Sequence, residues 1–158
     1  MNDGLKIIIT AALTLFGGVV LLIISKSIEV LVIVPLQKYK EHAQNTLERI
    51  DFYANQLTNY FPEKPNEKEI LKAELLRVEI RKAATELKSA YVVISFKGVL
   101  TKMKVLPRRT ELEKAFGSLI FLSNNLPLAS REKGRSPERN LIDMNDNAIK
   151  QVQLVLGE

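Results

Sequence analysis

Ile7 to Ile24 is a run of eighteen residues with no charge and no proline. A helix made of it has no face left over for water, so the run predicts a membrane span. A second apolar run, Ile28 to Val34, follows after Ser25, Lys26 and Ser27 and contains only Glu29 as a polar member. Taken as one helix, Leu5 to Val34 is about 45 Å long, more than a hydrocarbon core of about 30 Å. The helix must therefore tilt, or Ile28 to Val34 must emerge among the headgroups. A cleaved signal peptide would have a basic start, a shorter apolar core and a small-residue cleavage site. This run starts with one lysine and ends in Ser25-Lys26-Ser27-Ile28, so a retained span is expected. A buried central helix of a soluble bundle is disfavoured, because the rest of the chain is too small and polar to enclose it.

The span has a patterned surface. At 100° per residue, Thr10, Ala11, Thr14, Gly17, Gly18, Ser25 and Glu29 fall within about a third of the circumference. Small and hydroxylated residues let membrane helices approach closely. The arc therefore predicts a self-association or pore face formed by Thr10, Thr14, Gly17, Gly18, Ser25 and Glu29. An acid in or beside a span is expensive unless it is paired or faces water. Lys26 lies three residues before Glu29 and can pair with it, and both can equally sit at the headgroups.

The sequence divides into a transmembrane helix, residues 1–34, and a helical domain, residues 35–158. The net charge of +5 falls wholly in the second part, since Lys6 and Lys26 balance Asp3 and Glu29 in the first. A basic domain beside a bilayer has two natural polyanionic partners, anionic lipid and nucleic acid or nucleotide. The only lysine before the span is Lys6, whereas Lys26, Lys38 and Lys40 follow it. The positive-inside rule then predicts a single-pass protein with its C-terminal domain in the cytoplasm. Cysteine is absent, which excludes disulfides, thiolate nucleophiles and cysteine metal sites.

An all-α fold is expected after the span: a bundle of about four helices. Pro35 should kink the first helix or restart it. Leu36, Tyr39, Ala43, Leu47, Ile50, Ala54, Leu57 and Phe61 then form one stripe, ended by Pro62 and Pro65. Asn66 can cap the next helix with Glu69 reaching back. Its stripe is Ala73, Leu76, Ile80, Ala83, Leu87, Ala90 and Ile94, and Gly98 is the expected left-handed cap. Val99 to Leu106 reads as a loop or helical turn. Thr110-Glu111-Leu112-Glu113 reads as a capping box before Leu112, Ala115, Phe116, Leu119, Ile120 and Leu122. Ser136-Pro137 should begin the last helix, with Leu141, Ala148, Ile149, Val152 and Val155 inward.

Signatures of chemistry are lacking. The sequence has no phosphate-cradling glycine loop, nucleophile elbow or zinc spacing, and no cofactor or enzyme activity is predicted. Its single histidine, His42, reads as an ordinary helical residue. Glu67/Glu69 and Glu111/Glu113 complement helix dipoles. One charge feature stands out. Lys97, Lys102, Lys104, Arg108 and Arg109 occur in a stretch, Ser95 to Thr110, that contains no acid. Such a stretch is a candidate anion or nucleotide site, a lipid-facing patch, or a solvated basic loop. Arg131, Lys133, Arg135 and Arg139 form a weaker cluster, diluted by Glu132 and Glu138.

Ile33-Val34-Pro35-Leu36-Gln37-Lys38-Tyr39, Phe52-Tyr53-Ala54-Asn55 and Leu122-Ser123-Asn124 together resemble a family of small bacterial membrane proteins. Its members have one N-terminal hydrophobic stretch and a helical domain, and the resemblance covers about residues 33–125. It implies a membrane effector of bacterial anti-phage defence, in particular of the Hailong system. There a nucleotidyltransferase makes short DNA oligomers that hold a homo-oligomeric channel closed. By that resemblance the chain is the inner-membrane channel, a homo-oligomer such as a tetramer. Its ligand would be a short single-stranded DNA or nucleotide, and its nucleotidyltransferase partner would act through that product. The motifs are short, and none transfers a ligand site residue by residue. Two alternatives stand beside this reading: a membrane-anchored adaptor that binds a partner protein and conducts nothing, and an envelope-morphology or small toxin-like protein.

Overall fold

The computed structural model describes residues 3–58, 66–125 and 139–157, except the side chains of 139 and 140. The described elements are all helical. Helix α1 (Asp3–Ile28) passes through a π-helical turn (Glu29–Ile33) into α2 (Val34–Thr58). Together they make one helix of 56 residues, about 84 Å along its axis. Pro35 thus neither breaks the helix nor restarts it. Proline has no N–H for the carbonyl four residues back, and its ring crowds that carbonyl. The turn widens ahead of it, and the Val34 N–H donates to the Glu29 carbonyl, five residues back. A π turn is a common way for a helix to absorb such a fault.

No residue of α1 is buried. Leu5, Ile7, Leu13, Phe16, Leu22 and Val30 are among its exposed apolar side chains and those of the π turn. It belongs to the one helix among the described residues that is long and apolar enough to cross a membrane.

The remaining helices are α3 (Glu67–Val92), α4 (Lys97–Lys102), α5 (Arg109–Asn124) and α6 (Arg139–Leu156). Helix α2 packs on α3, α3 on α5, α5 on α6, and α6 back on α2. The four long helices therefore close a ring, and the short α4 links the end of α3 to the start of α5. Ile50, Leu57, Leu76, Leu87, Leu112, Leu119, Leu122 and Val152 fill the centre. Each such side chain contributes about 1.5–3 kcal/mol by leaving water.

Tyr91 of α3 meets Tyr39 of α2 edge to face at 5.9 Å, and Glu86 lies 3.8 Å from His42. Helix α3 therefore runs antiparallel to α2, and its C-terminal end returns toward α1. Val32 and Leu36 pack on the core, so the bundle begins within a turn of Glu29.

All seven expected inward positions of α3 are buried, and Asn66 caps it with reciprocal bonds to Glu69 of 3.0 and 2.8 Å. Other expectations are corrected. Helix α3 ends at Val92, not near Gly98, because the Lys97 ammonium binds the Val92 and Ile94 carbonyls at 2.8 and 2.6 Å. The left-handed residue is Phe96 (φ 56°), and Gly98 lies inside α4. Lys104 (φ 58°) is also left-handed, so α4 is flanked by two residues that each bear about 1–2 kcal/mol of backbone strain. The cap moves up by two residues and is one-sided, since the Arg108 side chain has no acceptor to complete a box. Helix α5 starts at Arg109, and the Glu111 carboxylate accepts the Arg108 N–H at 2.8 Å. Ile120 is exposed rather than inward. Phe61, Ser136 and Pro137 lie outside the described residues.

Polar ties also join the helices. Arg77 Nε donates to the Ser123 carbonyl at 3.1 Å, and Arg81 donates to Ser123 Oγ at 3.3 Å and to Asn124 Oδ1. These cations meet the carbonyl end of α5, where the helix dipole favours positive charge. Asn145, fully buried on α6, fills the gap in the stripe between Leu141 and Ala148. Its amide donates to the carbonyls of Leu57 and Asn125 at 2.8 and 3.2 Å.

Candidate functional site

Two regions collect the residues singled out from the sequence. The first is the small-residue arc of α1. Gly17 and Gly18 have no atom near the position a Cβ would take, leaving room for another helix to approach. The Thr10 and Thr14 hydroxyls donate to the Lys6 and Thr10 carbonyls, each at 2.9 Å. Ser27, on the opposite side of the helix from the arc, behaves alike, its Oγ donating to the Ile23 carbonyl at 2.8 Å. Their protons are thus satisfied within the helix, which suits a water-free surround, and their lone pairs stay available. Glu29 pairs with Lys26 at 2.9 Å on the exposed surface. The arc also contains Ile7, Leu21 and Ile28, by the same rotation of 100° per residue. It is therefore a mixed face of small, hydroxyl and apolar groups, not a polar stripe.

The second region is a cleft of about 860 Å³ where the end of α3, α4 and the start of α5 meet. Lys97, Lys102, Arg108 and Arg109 all line it, with Tyr91, Thr101, Leu112 and Phe116 as its floor and walls. A volume of this order suits a nucleotide-sized ligand. Lys88, not singled out from the sequence, also lines the cleft. It stands on α3, three residues before Tyr91, and only the packing of α3 against α5 brings it there. Lys104 is exposed and outside the lining.

These cations are not equivalent. Lys97 spends two of its donors on helix carbonyls and lies 5.7 Å from the Tyr91 ring centroid. Arg109 is bound by Glu113 at 2.8 Å, which also lines the cleft. Glu113 lies just beyond the acid-free stretch, so that stretch is not without a counter-charge. The carboxylate holds the guanidinium firmly protonated, raising its pKa by hydrogen bond and by charge. Burial raises the Tyr91 hydroxyl pKa, with Arg109 opposing and Glu113 reinforcing the shift. Among the described residues, Lys88, Lys102 and Arg108 have no acid partner. They supply the uncompensated positive charge.

His42 is half-buried against Glu86 at the α2–α3 interface. Of the weaker basic cluster, Arg131, Lys133 and Arg135 lie outside the described residues. The motif positions that carry the family resemblance have structural roles here. Residues 33–39 run from the last residue of the π turn through Pro35 to the buried Tyr39. Phe52 and Tyr53 stack edge to face at 4.9 Å. Leu122-Ser123-Asn124 receives Arg77 and Arg81. No family model, curated protein or solved structure matches the chain.

Proposed function

We propose that this chain is a homo-oligomeric channel of the bacterial inner membrane, serving as a membrane effector in anti-phage defence. Its cytoplasmic bundle binds a short oligonucleotide or nucleotide in the basic cleft. The observation that carries the reading is the position of the cleft. It lies at the end of the bundle from which α1 departs, and α1 and α2 form one unbroken helix. A ligand drawing Lys88, Lys102 and Arg108 together there acts at the base of the span. A single helix encloses no water path, so conduction requires several copies in a ring, for example a tetramer. The ring would place Thr10, Thr14, Gly17, Gly18, Ser25 and Glu29 toward the axis, with Glu29 favouring cations near the cytoplasmic mouth. A nucleotidyltransferase would be the partner that makes the ligand.

Planar-bilayer recording of the purified protein, with and without short single-stranded DNA, tests this. Ligand-dependent conductance is expected, and it should change selectivity in Glu29→Gln. Silence in both conditions, with a monomer in detergent, overturns the channel.

A membrane-anchored adaptor is the second reading, and one observation favours it. Leu71, Leu75 and Val78 are exposed on α3 at the spacing of a helical seam. Partner capture that is lost in Leu75→Glu while the oligomer survives would select it.

A further inference from the structure

The corner between α3 and α5 carries a second feature, distinct from the cleft. Val93, Phe96, Val99 and Met103 are all exposed there, Phe96 at 66% and Met103 at 67%. Such a cluster is unusual in water. The left-handed backbone at Phe96 precedes α4 directly, a strain that survives although Gly98 stands two residues away. On α4, Leu100 is buried. Lys97 and Thr101 flank it on the cleft side, while Val99 and Met103 lie on the other flank at 100° per residue. The apolar cluster and the cleft therefore use different faces of one short helix.

The level of the corner identifies what covers it. The antiparallel pairing of Tyr91 with Tyr39 and Glu86 with His42 continues to place Val93 to Phe96 about level with residues 34–37. Those residues begin about 7 Å along the axis from Glu29, where a helix leaving a bilayer passes through the headgroups. Lys38, Lys40 and Lys104 are exposed at the same end, and no acid lies between Ser95 and Thr110. Apolar side chains rimmed by lysines at that depth match the acyl–headgroup boundary of an anionic leaflet.

We propose that the α3–α4 corner is a second membrane attachment: Phe96, Val99 and Met103, with Val93, enter the anionic leaflet beside the span. Lys104 and Lys38 meet lipid phosphates. The corner and α1 then hold the bundle at two points, which fixes its rotation about the span axis and keeps the mouth of the cleft off the bilayer. The inference rests on α1 lying in the membrane, and the test separates the two.

The chain has no cysteine, so single-cysteine labelling of the full-length protein is direct. Phe96→Cys, Met103→Cys, Leu13→Cys and Asp143→Cys are each labelled with an environment-sensitive fluorophore. Nanodiscs contain phosphatidylglycerol and phosphatidylcholine, with quencher lipids that carry a nitroxide either near the headgroup or deep in the acyl chain. The expected result is strong shallow quenching at positions 96 and 103, deep quenching at 13, and none at 143. Quenching at 96 should fall at least several-fold in pure phosphatidylcholine. Deep quenching at 13 with none at 96 and 103 overturns the corner while leaving the span. No quenching at 13 overturns both. Disulfide-linked dimers of unlabelled Phe96→Cys in the membrane show a contact between subunits and likewise overturn the proposal.

Discussion

Raising salt from about 50 to about 200 mM should weaken binding of short single-stranded DNA to the cleft by roughly 20-fold. The figure follows from which cations are free. Lys88, Lys102 and Arg108 lack acid partners among the described residues, whereas Arg109 is held by Glu113 and Lys97 by two carbonyls. Each phosphate neutralised on a single strand contributes about −0.7 to the slope of log affinity against log salt, so three contacts give about −2. The five cations counted from the sequence would give about −3.5, a fall of roughly 100-fold over the same range. Glu113→Gln releases Arg109 and should steepen the slope to about −2.8, while Lys102→Gln should flatten it to about −1.4. Fluorescence anisotropy of a labelled oligomer with detergent-solubilised protein, at four or more salt concentrations, measures all three. A slope near −3.5 in the unaltered protein, or one that Glu113→Gln does not move, refutes the division of the cations into free and committed. A flat slope refutes the cleft as a phosphate site.

Other outcomes follow from the packing. Leu119→Ala empties a wholly buried position and should lower stability by about 2–5 kcal/mol, whereas Ile120→Ala, at a 41% exposed position, should stay within about 0.5 kcal/mol. Thermal melts in detergent compare them. Phe96→Asn relieves a left-handed residue and should gain about 1 kcal/mol in detergent, while losing lipid contact in nanodiscs. A loss of stability would mean that the ring packs inward. Burial, and for Tyr39 also its neighbour Tyr91, raises the hydroxyl pKa of Tyr39 and Tyr91 above the ordinary 10.0. Above that pH the unfolded chain releases these protons first, so their stabilisation is complete below pH 10 and declines as pH rises beyond it. Melts from neutral to strongly alkaline pH should show the decline, and Tyr39→Phe should reduce it.

Most of the bundle could be read from spacing alone, because a stripe at threes and fours has one solution in a helix. Every inward position expected of α3 is buried. The failures fall where local rules compete. At Arg108 to Glu113 two acids stand at capping distance from two possible starts, and Pro107 precedes the one used. At Phe96 the expectation followed glycine, but the Lys97 ammonium had already ended α3 five residues earlier in the chain. Ile120 follows the apolar run of α5 but not its inward side. In the candidate site, the pairing of Arg109 with Glu113 was legible as an i, i+4 contact. Lys88 was not, since it reaches the cleft only through the packing of α3 against α5. The exclusion of Lys104 depends on a left-handed turn that nothing in its neighbourhood announces.

The unbroken passage from span to bundle makes the molecule a lever. Helix α1 extends about 39 Å beyond the π turn, so a rocking of the bundle by about 5° would sweep its far end through about 3 Å. That is the diameter of a water molecule. The π turn also acts as a phase shifter, since one extra residue in a turn rotates everything beyond it by about a quarter of a circle. Shortening the turn by one residue would leave both the bundle and the apolar rod intact and change which face of the rod lies above each side of the bundle.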